Sequence, residues 1–337
     1  MISKNILVTG AAGFIGYHLS KKLLDEGHCV TGIDNMNPYY DVKLKHDRIE
    51  TIIDNPEFTF HKMDLQDAMM IDYLFKTNVF DIVFNMGAQA GVRYSIDSPQ
   101  TYIDSNVTGF LNILEGCRHY DIEHLIFASS SSVYGANQKI PFSTTDNVDH
   151  PMAIYPATKK ANEMMAHAYS SLFNIPCTGV RFFTVYGPYG RPDLSLFLFV
   201  KAILEDKPIK VFNNGDMSRD FTYVDDVVES LVRLMYIIPT PENNWESNPS
   251  KSYCPYRLYN IGNHDPINLN DFIKLIEEAL GKEAEKVYLG MQDGDVQRTY
   301  ADVNDLINTI GYKPSTPIKE GIKKFVDWYK EYYRIGE

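Results

Sequence analysis

A doubly wound parallel α/β sheet with a smaller mixed α/β domain is the fold class predicted for this chain, on three observations. Short apolar runs alternate with longer amphipathic ones through the first half, the arrangement that builds βαβ units. A glycine-rich turn, Thr-Gly-Ala-Ala-Gly-Phe-Ile-Gly at 9–16, joins the first apolar run to the first amphipathic one. After Gly187 the texture changes to Gly-Pro-Tyr-Gly-Arg-Pro, where a second domain begins. Together they predict a Rossmann-type domain over 1–186, to which the chain returns around 221–262, and a substrate domain made of 187–220 and 263–337.

Taken in order, Asn5–Thr9, Cys29–Ile33, Phe58–Lys62, Ile82–Asn85, His124–Ser129 and Cys177–Phe182 are the expected strands, bounded by turn residues. Between them, Phe14–Glu26, Ala68–Thr77, Gln100–His119 and Tyr155–Phe173 repeat apolar residues at helical spacing. An apolar helix is expected near Leu194–Glu205, and a polar turn at Asn213–Asp216. The run Pro239–Pro255 holds four prolines and many polar residues, so it reads as a long surface excursion. The chain is expected to return to the sheet before that excursion, around Phe221–Tyr236, and to resume the small domain at Ile267.

Composition narrows the function classes. Hydrophobic residues make up 44% and charged residues 23%, as in an ordinary globular protein. A net charge of −12 would repel phosphate backbones and acidic lipids, which argues against a nucleic-acid or membrane surface. Any phosphate-bearing ligand must then be met by local groups. Four cysteines stand far apart with no CxxC pair, so neither a metal site nor a disulfide framework is suggested, and a soluble, unprocessed, cytoplasmic protein is expected.

Gly10, Gly13 and Gly16 lie between a strand and a helix, where their backbone amides can close on a pyrophosphate at the positive helix end. Asp34 follows about 20 residues later at the end of the second strand, where a carboxylate accepts the ribose hydroxyls of NAD and repels the 2′-phosphate of NADP. Phe14, Ile15 and Asn35 flank these positions. Asp64, followed by Leu65, closes the third strand and suits either an adenine amino group or a helix cap.

Tyr155 and Lys159 stand four residues apart, on one face of a helix. A nearby cation favours the phenolate, which makes the tyrosine a general base for an alcohol that loses hydride. Upstream, the strand through Phe127 ends in the four hydroxyls Ser129–Ser132, either a turn satisfying its own backbone or a source of hydrogen bonds to substrate.

TGAAGFIG, SSSSVYG, YPATK and RDFTYVDD, in that order, resemble the extended short-chain dehydrogenase/reductase superfamily of sugar-nucleotide epimerases and dehydratases over nearly the whole chain. DNMNPYYDVKLK, GAQAGVRYS, RFFTVYGPYGRPD and PYRLYNIGN are similar to UDP-glucuronate 4-epimerases in particular. The resemblance implies Tyr155 as base, Lys159 as the ribose-binding cation and Ser130 as the hydroxyl facing the sugar. It implies nicotinamide-side contacts at Gln89, Asn106 and Phe182, and nucleotide-diphosphate contacts at Arg219, Asp295 and Arg298. Arg219 is otherwise a surface partner of Asp220, and Arg298 a solvated cation. Val211 and Phe212 fall where relatives pack the nucleobase, although an apolar pair in a strand serves equally as core.

Ser131 and Ser132 stand where dehydratases of this superfamily carry an Asp-Glu acid-base pair, so elimination of water is disfavoured and epimerisation at C4 is expected. A 4-keto uronate is a β-keto acid, and its carboxylate must be held against loss of CO2. Ser131, Thr184 and Arg191 are the expected restraints, with Arg93 serving either there or as a brace for its own loop. Gln292 and Thr184 replace an arginine and an asparagine of the hexose 4-epimerases. The remaining readings are a UDP-hexose (glucose or N-acetylglucosamine) 4-epimerase, a UDP-glucuronate decarboxylase, and a non-catalytic NAD-binding protein, the last disfavoured because both Tyr155 and Lys159 are retained. The superfamily's pairing mode implies a homodimer through the helices at 100–119 and 155–173.

Overall fold

In the computed structural model, which describes residues 2–292 and 294–336, six expected apolar runs form β1 (Asn5–Thr9), β2 (Cys29–Asp34), β3 (Phe58–Lys62), β4 (Ile82–Asn85), β5 (His124–Ser130) and β6 (Cys177–Phe182). The later strands are β7 (Thr184–Tyr186), β8 (Ile209–Val211), β9 (Ser218–Tyr223), β10 (Tyr256–Ile261), β11 (Pro266–Asn268) and β12 (Lys286–Tyr288). One parallel sheet takes seven of them in the order β10-β6-β5-β4-β1-β2-β3. Helices cover both faces, which is why β5 is buried along its whole length. Successive residues point to opposite layers: Ile6 and Val8 join one core cluster, and Leu7 between them joins the other.

β1 has β2 on one side and β4 on the other, so the chain reverses its direction of travel across the sheet there. Ligands of open α/β sheets bind in the crevice that such a reversal opens at the carboxyl ends of the strands. The helix Ile154–Phe173 stops at Asn174, whose φ of 55° ends it in the left-handed region.

Two expectations need correction. The strand that rejoins the sheet is β10, after the 239–255 excursion rather than before it. The Phe221–Tyr236 stretch instead supplies the second half of β9, in a three-stranded sheet with β11 and β7, and the helix Val224–Leu234 packed on the helix Phe14–Asp25. The excursion is also tied down at its end: Ser252 is fully buried and bonds His167 at 2.7 Å. Secondly, Gln100–His119 is not one regular helix. A π-type segment, Ile103–Thr108, separates Pro99–Tyr102 from Gly109–His119. Such an insertion turns a side chain off the regular helical face, and here buried Asn106 is directed at the Gln89 backbone.

Candidate active site

The glycine-rich turn passes from β1 into the helix Phe14–Asp25 with no room for side chains. Gly10 has φ +68°, and a Cβ there would sit 2.7 Å from the Gly87 Cα; one on Gly16 would sit 2.1 Å from the Gly10 carbonyl oxygen. The helix has no side-chain cap and no acidic residue in its first turn, so its amino end is open to an anion. That is the fit expected for a dinucleotide pyrophosphate.

A cavity of about 1140 Å³ runs from this turn to the small domain, room for a dinucleotide and a second nucleotide-sized ligand. Of the predicted cofactor residues, Gly10, Gly13, Phe14, Ile15, Gly16, Asp34, Asn35, Asp64, Leu65, Gln89 and Phe182 line it. Asp64 is held by Asn35 at 2.9 Å, while the cap of the following helix is Asp67, not Asp64. Asn106 does not reach the wall. It accepts from the Gln89 amide at 2.8 Å and donates to the Gln89 carbonyl at 3.0 Å and to Thr158 at 3.0 Å, so it braces Gln89 instead.

Asp34 accepts from the Met36 amide at 2.8 Å, and the buried Lys45 ammonium lies 3.5 Å away. With the carboxylate removed, that ammonium would be free for a 2′-phosphate. Asp34→Ala is therefore expected to narrow a strong NAD preference by about tenfold or more. Titration of wild type and variant with both dinucleotides checks this, and equal affinity of the unmodified protein for both contradicts it.

Tyr155 and Lys159 open the cavity's middle from the helix Ile154–Phe173, opposite Ser130 at the end of β5. Burial pushes the Tyr155 phenol above its ordinary value, and the Ser130 hydroxyl and Arg191 charge pull it back. The Lys159 ammonium is also buried, lowered by that burial to about 8, and donates to the Ala128 carbonyl at 2.9 Å. The sequence reading also missed Glu163, although its signal was present. Tyr155, Lys159 and Glu163 recur every four residues on one helical face. Glu163 accepts from Ser129 at 2.7 Å and from Arg181 at 2.8 and 2.9 Å, all buried, which anchors the helix to β5 and β6.

Towards the small domain, Arg93, Ser131, Thr184, Arg191, Phe212, Arg219 and Asp295 line the cavity. Arg93 pairs with Asp295 at 2.9 Å and lies over the Phe212 ring. Arg191 is gripped by Asp193, which also accepts from Tyr39 at 3.2 Å. Arg219 is not the partner of Asp220, whose carboxylate takes the Asn263, Ala301 and His264 amides instead. Burial and the neighbouring Arg93 charge lower the Arg219 guanidinium, with Asp295 opposing; no carboxylate lies within ion-pair distance of it among the described residues. A cation so placed suits a diphosphate. Val211 is fully buried in β8 among core side chains, and Arg298 is exposed and does not line the cavity.

Comparison with known proteins agrees with this geometry. Residues 6–243 match the model of the NAD dependent epimerase/dehydratase family. The chain is 55% identical over 332 residues to Protein CapI of Staphylococcus aureus, covering 98% of this chain and 99% of that one. It is 45% identical to a probable UDP-glucuronate 4-epimerase of Rhizobium meliloti, over 97% of each chain. The crystal structure of UDP-glucuronic acid 4-epimerase from Bacillus cereus, in complex with UDP-glucuronic acid and NAD, superposes with a TM-score of 0.85 at 32% identity, covering 98% of this chain and 100% of that one.

Proposed function

The chain belongs to the NAD dependent epimerase/dehydratase family, and from that premise we propose that it interconverts UDP-glucuronate and UDP-galacturonate through a 4-keto intermediate. The observation that carries this reading is a single cavity in which Tyr155 and Lys159 stand between a dinucleotide-shaped end and an arginine-bearing end, with Ser131 and Ser132 where an elimination would need carboxyl groups. We assign residues 1–186 and 221–262 to its NAD-binding part and 187–220 with 263–337 to its substrate part, although β7 and β9 pair with β11 in the small sheet.

NAD, held by the glycine-rich turn and Asp34, would supply the acceptor for the C4 hydride and the donor for its return. The protein does the rest. Tyr155 takes the O4 proton, Ser130 hydrogen-bonds O4, and Lys159 holds the ribose that places the ring. Arg219, the only arginine of this wall without a carboxylate partner among the described residues, meets the diphosphate. Ser131, Thr184 and Arg191 hold the uronate carboxylate in an orientation unsuited to loss of CO2.

Incubation with UDP-glucuronate, UDP-glucose and UDP-N-acetylglucosamine, followed by NMR, tests substrate and reaction together. UDP-galacturonate should form from the first, and Arg191→Ala or Thr184→Val should slow it and raise the decarboxylated fraction. Turnover of the neutral sugars alone would exclude the uronate reading.

The protein acts as a cytoplasmic homodimer. No described helix is long and apolar enough to cross a membrane, and all four cysteines are free. Leu111, Met164 and Leu172 are 40%, 63% and 72% exposed on the helices Gly109–His119 and Ile154–Phe173, an apolar surface suited to a four-helix contact. Light scattering should return twice the 38.5 kDa chain mass. A monomer mass at micromolar concentration would refute the dimer.

A further inference from the structure

Arg48, on the helix Val42–Glu50, is fully buried, yet no carboxylate lies within ion-pair distance of it among the described residues. A buried cation without a counter-ion is costly. Its partners are oxygen atoms from three segments. One terminal nitrogen donates to the Ala12 carbonyl at 2.8 Å and to the Tyr40 hydroxyl at 2.7 Å; the other donates to the Tyr189 carbonyl at 2.6 Å. Ala12 lies inside the glycine-rich turn, and Tyr189, held at φ +56°, stands two residues before Arg191. The planar guanidinium presents its two terminal nitrogens as a rigid fork, one to each carbonyl, whereas an ammonium would have to reach both from a single nitrogen.

The neighbouring carbonyl is anchored from the same side. His18, in the helix that starts at the glycine-rich turn, faces the Pro188 carbonyl with Nε2 at 2.9 Å. Burial lowers this imidazole to about 4, so it is neutral at pH 7, and the nitrogen facing the carbonyl carries the proton. Two consecutive carbonyls of the loop leading to Arg191 are thus held by side chains of the dinucleotide-binding half.

We propose that Arg48 is a positioning residue that locks the glycine-rich turn to the loop carrying Arg191, so that one side chain sets both the dinucleotide site and the grip on the substrate carboxylate. It does not line the cavity. Its charge lies behind the turn and adds to the positive field of the helix amino end. The proposal rests on Arg191 as a carboxylate-holding group.

The test compares the unmodified enzyme with Arg48→Lys, which keeps the charge, and Arg48→Met, which loses it. In Arg48→Lys the KM for UDP-glucuronate and the NAD concentration for half-maximal activity should both rise by about tenfold, and the fraction released as CO2 should rise with them. A purely structural role would lower the melting temperature and leave these ratios unchanged. Hydrogen exchange supplies a second readout that does not need a foldable Met variant: NAD should slow amide exchange across 187–193 in the unmodified protein, and much less in Arg48→Lys. Unchanged KM and NAD requirement in Arg48→Lys, or identical NAD protection in both proteins, overturns the proposal. If the unmodified enzyme does not turn over uronates, the functional reading fails instead, and the exchange comparison alone decides for Arg48.

Discussion

Tyr155→Phe should lower turnover of UDP-glucuronate by roughly 10²-fold or more while leaving the fold and NAD affinity near those of the unmodified enzyme. The expectation follows from what the hydroxyl does and what the ring does separately. The ring packs edge-on against Tyr102 at 6.0 Å, a contact that phenylalanine keeps. The hydroxyl faces the cavity beside Ser130, and only it can take the O4 proton. Because burial already raises this phenol, the base must be drawn down by groups that meet it in the loaded site, so the loss should appear in kcat rather than in KM. Single-turnover measurements with saturating substrate separate the two. Near-normal turnover would remove Tyr155 from the mechanism.

Glu163→Gln should cost stability on the order of 3–5 kcal/mol, the usual penalty for breaking a buried pair and leaving one charge behind. Arg181 is fully buried on β6, covers the Tyr134 ring at 4.9 Å, and has Glu163 as its carboxylate partner. Burial works to raise the Glu163 carboxyl, and the Arg181 charge outweighs it, holding it below its ordinary 4.5. A carboxyl depressed in the folded state contributes stability that is present above 4.5 and disappears as pH falls through the folded value. Wild-type stability should therefore decline below about pH 4.5, and the variant should lack that part of the decline. Replacing both partners by leucine and methionine should restore much of the loss, since an apolar pair leaves no unpaired charge. Urea unfolding of the three proteins across pH measures this. A Glu163→Gln protein as stable as wild type would show that the pair anchors nothing.

The sheet was legible because its strands, covered on both faces, read as apolar runs bounded by turn residues, and all six expected strands end on the expected residue or one beyond it. What escaped was information held in contacts between distant segments. β10 follows a proline-rich stretch and looks no more sheet-like than β9; its parallel pairing with β6 decides the matter. The π-type segment at Ile103–Thr108 preserves apolar spacing on either side, and only the Gln89 backbone explains why Asn106 turns inward. In the site, glycines and the Tyr-Lys pair carry local spacing that a sequence displays. Arg48 with Tyr189, Asp193 with Tyr39, and Arg93 with Asp295 act across 141, 154 and 202 positions of chain, and nothing in their immediate surroundings announces these contacts. Val211, for which the sequence left nucleobase contact and core equally open, falls by the strand's alternation into the core.

UDP-glucuronate carrying deuterium at C4 tests the central claim most directly. Incubated with the NAD-saturated enzyme, it should reach equilibrium with UDP-galacturonate within about a factor of ten of unity, because the two differ at one carbon, a difference below about 1.4 kcal/mol. The label should remain at C4 in both sugars, with little CO2 released. Loss of the deuterium to water, or a pentose nucleotide as the main product, would contradict the account.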